Sequence, residues 1–165
     1  MDFYGRFGAA SLTLLGLWLI VVQTRFRAWA GSRPHRRQAT AVAVIFGLPG
    51  ILSFLAIVDP DEPALWKTSF IVGGAVGAVG ILLVVVNRAV RPPDVVATVA
   101  FAVAAALQVA IALVAVFANP IGRSSLTLAP IEVERLLFSL LMGAGLVAAW
   151  QLLFAEVDEE PLDAD

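Results

Sequence analysis

The chain has 165 residues, of which 60% are apolar and only 15% charged, where soluble domains average about 45–50% and about 25%. Charge is absent from five stretches, 7–24, 38–58, 68–87, 95–122 and 136–155, each close to or above the roughly 20 apolar residues that carry a helix across a bilayer. This pattern excludes a soluble globular domain. It predicts an all-α integral membrane protein, a bundle of five transmembrane helices. Barrel strands would alternate apolar and polar residues, and these stretches do not.

The spans are expected over about 7–24, 38–58, 68–87, 95–118 and 136–155. They form a single five-helix membrane domain, 1–155, followed by an acidic tail, 156–165, that reads as disordered. With no cysteine and one histidine, His35, the chain offers no thiolate nucleophile, no disulfide and no metal-ligand cluster.

In the first span, Ala28-Trp29-Ala30 superficially resembles a signal-peptide cleavage site. A signal peptide carries its positive charge before the apolar core, whereas here Arg25 and Arg27 follow it, so a retained anchor is expected. The segment 25–37 then holds Arg25, Arg27, Arg33, Arg36 and Arg37, with Phe26 and Trp29 interleaved, and reads as a loop. Together with Arg88 and Arg91 these make seven basic residues on one side. Arg6, Lys67, Arg123 and Arg135 make four on the other. The excess marks the cytoplasmic side, so the N-terminus is outside, the C-terminus is cytoplasmic and the chain is a multi-pass protein of the plasma (cytoplasmic) membrane. The arginine cluster suffices to set topology and can also contact anionic lipid headgroups, at about 1 kcal/mol per charge.

The second span contains Gly47-Leu48-Pro49-Gly50. Pro49 removes a helical N–H and crowds the preceding turn, so a static kink is expected. Asp59-Pro60 ends this span and Asp61-Glu62-Pro63 opens the next. The third span carries Gly73, Gly77 and Gly80, which place a smooth face where a neighbouring backbone can approach; packing inside the bundle is preferred to a homodimer seam or a conduit.

The fourth span, opened by Pro92-Pro93-Asp94 and closed by Asn119-Pro120, has a face of Ala97, Ala100, Ala104, Gln108 and Ala115. The Gln108 amide stands near mid-membrane and is expected to find a partner in Ser53, Ser139 or a carbonyl freed by Pro49. Pro130, Glu132 and Glu134 open the fifth span, where Ser139 and Gly143 are assigned to packing. The connection 119–135 is long enough to fold over the outer face. Tyr4 and Trp66 fall near the outer surface and Trp29 and Trp150 near the inner one. Trp18 lies deeper, against another helix or lipid.

The five cores contain no ionisable residue, which disfavours proton-coupled transport and voltage sensing. No serine has a buried histidine to activate it, and hydrolase, zinc, phosphate-loop and dinucleotide motifs are missing. No catalytic residue, cofactor or metal is expected, and the chain is not expected to be an enzyme. The expected partners are the lipid bilayer and either a second copy or another membrane protein, with no nucleic acid. Two functions follow: an accessory or structural membrane component acting through helix contacts, or a carrier or channel subunit for a neutral or lipid-like solute, with Gln108 and the Pro49 kink at its site. The acidic tail, on the same side as the arginines, is expected to fold back onto them.

Overall fold

The residues that avoid charge are helical in the computed structural model, which describes residues 2–58, 63–88, 95–119 and 129–154. The five long helices are α1 (Asp2–Trp29), α2 (Arg33–Val58), α3 (Pro63–Arg88), α4 (Val95–Val116) and α5 (Pro130–Phe154). Each is long and apolar enough to cross a membrane, the length and composition that a multi-pass membrane protein requires. Residues 59–62 with their end and start signals, the Pro92-Pro93-Asp94 start signal, most of the 119–135 connection and the acidic tail lie outside the described residues.

Four of the helices extend beyond the charge-free stretches, α3 among them with Lys67 and Arg88 inside Pro63–Arg88. The first begins at Asp2 and includes Arg6, Arg25 and Arg27. The second begins at Arg33, so the expected arginine loop is instead the last turns of α1, a turn at 30–32 and the first turns of α2. Arginine is a good helix former whose long stem lets its charge reach water from beyond an apolar segment, so charge marks where the apolar core ends and not where the helix ends. The fifth begins at Pro130, where the N–H that proline lacks is not needed. Glu132 caps this start, its carboxylate accepting the Ala129 N–H at 2.9 Å.

Helices α2, α3, α4 and α5 close a ring, each packing on the next and α5 returning to α2, while α1 lies against α2 and touches α5 lightly. The interior of the ring is filled by fully buried side chains, among them Ile45, Phe70, Phe101, Ile111, Phe138 and Leu141. Outward faces carry Leu17, Ile20, Val72, Leu83, Val99 and Leu140, all about half exposed or more, as expected of surfaces solvated by lipid tails.

Small residues set the closest approaches. A Cβ added at Gly73 would stand 2.7 Å from Leu52, and one at Gly74 would stand 2.7 Å from the Gln108 carbonyl oxygen. One at Gly145 would stand 2.6 Å from Ile45. These contacts join α3 to α2, α3 to α4, and α5 to α2. On the α1 side, Gly8 and Gly50 receive Ser53 and Leu12 across the same interface. There the Ser11 hydroxyl donates to the Phe46 carbonyl at 2.5 Å, both being buried. The helix is continuous through Pro49. Trp18 packs inward, its indole N–H donating to the Ala39 carbonyl at 2.9 Å and its ring 6.1 Å from that of Trp29.

Candidate functional site

Buried polar groups that lack a hydrogen-bond partner among the described residues stand at two places, and a third group of charges surrounds one end. The first place is the end where α1, α3 and α5 begin. Four rings meet there: Phe138 lies 5.2 Å from Phe70, 5.6 Å from Phe7 and 6.3 Å from Tyr4. Trp66 stands edge-on to Phe70 at 5.6 Å, and Phe3 packs on Tyr4 and Phe7. Their spacing along each helix, Phe3 with Phe7 and Trp66 with Phe70, is the i, i+4 spacing that puts two side chains on one face.

Glu134, four residues before Phe138 on α5, shares that inward face and is fully buried. Neither of its carboxyl oxygens has a hydrogen-bond partner among the described residues. Arg135 points instead across the rings, its guanidinium carbon 5.8 Å from the centroids of both Phe3 and Tyr4, within reach of a cation–π attraction. The expectation that the spans hold no ionisable residue is therefore corrected. Counting charge-free stretches starts the fifth span at 136, whereas its helix starts at Pro130 and carries Glu134 into the packed interior. The available signal was the i, i+4 pair Glu134 and Phe138, followed by Leu141 and Gly145 on one face.

The second place is the middle of the ring. Gln108 is fully buried, and both its amide nitrogen and its amide oxygen lack a hydrogen-bond partner among the described residues. Neither a carbonyl freed by Pro49 nor either serine pairs with it, and both serines are engaged within their own helices. Ser53 donates to the Pro49 carbonyl at 2.7 Å, and Ser139, exposed, donates to the Arg135 carbonyl at 2.9 Å. The amide lies instead over Gly77, where an added Cβ would meet its carbon at 2.7 Å and Leu48 at 2.9 Å. Here the glycine makes room for a side chain and not only for a backbone.

The other residues assigned to packing divide. Gly73, Gly77 and Ala104 are buried between helices. Gly80, Ser139 and Gly143 are exposed, and an added Cβ at either glycine would meet nothing within 4 Å. In α5 the inward stripe is Phe138, Leu141, Gly145, Ala148 and Leu152, so Gly145, two residues after Gly143, occupies the contact.

The third group is the arginine end. Arg25, Arg27, Arg33, Arg36 and Arg37 are all exposed. One Arg25 amino group donates to the Leu153 carbonyl at 3.3 Å, linking the ends of α1 and α5. The turn between α1 and α2 is held by the Ser32 hydroxyl bonded to His35 Nδ1 at 2.7 Å and by the His35 ring stacked on Trp29. Among the described residues no group of three histidines, cysteines or acids could hold a metal ion. No family model, curated protein or solved structure matches the chain.

Proposed function

We propose that the protein is an accessory or structural component of the plasma (cytoplasmic) membrane, oriented with its N-terminus outside and its C-terminus cytoplasmic, acting through helix contacts with a second membrane protein. The observation that carries this reading is the filled ring: Ile45, Phe101, Ile111 and Leu141 are at most 1% exposed, which leaves a well-packed body with apolar outer faces. The first helix supports it further. It is held mainly by α2, and its outer face of Leu17 and Ile20 is free to meet a neighbour in the bilayer.

A photo-crosslinker at Leu17 in native membranes should give one discrete heterologous adduct, while one at Val99 on the opposite side of the bundle should give only lipid. Lipid adducts alone at both positions would refute the reading. The orientation has its own test: a reporter active only outside the cytoplasm, fused after Asp165, should stay silent.

One observation favours a second reading, a carrier or channel subunit for a neutral or lipid-like solute. The Gln108 amide is buried beside Gly77 with no hydrogen-bond partner among the described residues, which is costly unless a further group supplies one. That reading requires solute flux from the purified protein in liposomes and its loss in Gln108→Leu.

A further inference from the structure

Two grooves flank α2 at the arginine end, one on each side of the helix. The larger, of about 710 Å³, lies between α2 and α3 and is walled by Ala41, Val44, Leu83 and Val84, with Arg33 and Arg37 beside them. Gly80 also lines it, and the space where its side chain would stand is open. The smaller, of about 290 Å³, lies between α1 and α2 and is walled by Leu19, Val22, Phe26 and Ala43. Both volumes fall at or near the range of small-molecule sites, about 300–1,000 Å³.

Arg36 and Thr40 line both grooves. One helical turn apart, they form the ridge between them, with the Thr40 hydroxyl donating to the Arg36 carbonyl at 3.0 Å. The larger groove follows α2 from 33 to 44 and the smaller follows the chain from 30 back to 19. At 1.5 Å per residue each is about 16 Å long. With the upper part of the larger groove taken by its arginines, the apolar part from 37 to 44 is about 10 Å deep, so both grooves stay within one leaflet of the roughly 30 Å hydrocarbon core.

Charge names the occupant. The three arginines at the ridge and mouth are exposed, and the described acids of α5, Glu132 and Glu134, stand at the opposite end of the bundle. Guanidinium groups pair with phosphate through two parallel hydrogen bonds, and their stems pack on apolar surface. The geometry points to a binding site for a two-chain anionic phospholipid that straddles α2, its phosphate and headgroup on Arg33, Arg36 and Arg37 and one acyl chain in each groove. This assignment is independent of the accessory reading, since it concerns lipid and not a protein partner.

Three lipids separate its parts: phosphatidylglycerol, phosphatidylcholine with the same chains, and single-chain lysophosphatidylglycerol. Their binding to the detergent-purified full chain is measured by native mass spectrometry. Phosphatidylglycerol should bind about tenfold more tightly than phosphatidylcholine, and the double variant Arg36→Gln with Arg37→Gln should erase that preference. Gly80→Leu fills the larger groove and should weaken phosphatidylglycerol about tenfold, with helix content and melting temperature kept. Lysophosphatidylglycerol, whose one chain can use the other groove, should lose less than about threefold.

Equal binding of phosphatidylglycerol and phosphatidylcholine by the unaltered chain would overturn the proposal. So would an unaffected Gly80→Leu variant, and so would equal losses for the one-chain and two-chain lipids. If deletion of 156–165 is what creates the preference for phosphatidylglycerol, the acidic tail and not lipid is the partner of these arginines, and the assignment fails.

Discussion

The two ends of this bundle are closed by different chemistry. At one, Tyr4 and Phe7 of α1 reach Phe70 of α3 and Phe138 of α5, so three helices that begin there share one aromatic plug. At the other, Trp18 and Trp29 bind α1 to α2 alone, and grooves open on both sides of α2. Ring-to-ring packing ties several helices at once and leaves no channel for lipid, whereas arginines, whose heads must stay wet, cannot fill the space between helices. The end rich in arginine is consequently the end with room for a ligand on both sides of α2.

The sharpest way to break that contrast is to cut the plug. Phe138→Ala removes a ring at the meeting point of three others and should cost about 3–5 kcal/mol, read as unfolding of the purified protein in detergent. Loss of α1 contact should follow, seen as faster proteolysis near Gly5 than near Gly31. A cost under about 1 kcal/mol would mean that the aromatic end is as loosely joined as the arginine end.

Next in size is the contact that holds α3 to α4 between the two ends. In Gly74→Ala the new methyl meets the Gln108 carbonyl oxygen at 2.7 Å and the Ala112 nitrogen at 3.0 Å. Both are backbone atoms that cannot rotate away, so the helices must part, at about 1–3 kcal/mol. Gly77→Ala should cost less, because it meets the Gln108 and Leu48 side chains, which can shift. A reversed order would show that the Gln108 amide is held more firmly than its missing hydrogen bonds suggest.

Sequence reading reached these elements unevenly, for physical reasons. Five apolar stretches gave five helices because a bilayer-spanning segment announces itself by composition alone. Gly73 and Gly77 were legible because small residues at that spacing form a face whatever the neighbour. Which face of α5 turns inward was not legible. In a helix that is apolar all round, little hydrophobic contrast separates core from lipid, and Gly143 was chosen where Gly145 makes the contact. Glu134 reads from the sequence as part of a charged helix start and not as a buried acid, because charge marks the end of a span, while the packed interior continues into that charged flank. The two grooves had no one-dimensional signal, since Arg36 and Gly80 come together only when α2 packs on α3.

Glu134 gives a smaller effect of opposite sign. An acid buried among rings with no hydrogen-bond partner among the described residues is a loss to the fold, so Glu134→Met, similar in volume and apolar, should raise stability by on the order of 1 kcal/mol. If the carboxyl instead makes hydrogen bonds in the membrane, the variant will be destabilised, and the aromatic end will be a polar site and not a plug.

The smallest effect belongs to Gly80, and it separates stability from function most cleanly. A glycine inside a helix costs about 0.5–1 kcal/mol relative to alanine, and here no neighbour within 4 Å demands its lack of a side chain. Gly80→Ala should therefore stabilise the protein by up to about 1 kcal/mol. Gly74 and Gly77, six and three residues earlier on the same helix, are each packed against α4, so the three positions form an internal control for one helix in one membrane. Stabilisation at Gly80 with loss at Gly74 would place the glycine requirement at 74 in helix packing and leave the open space at 80 to be explained by what occupies the groove. Equal destabilisation at both would mean that α3 meets a further helix at the arginine end, and the difference between the two ends would disappear.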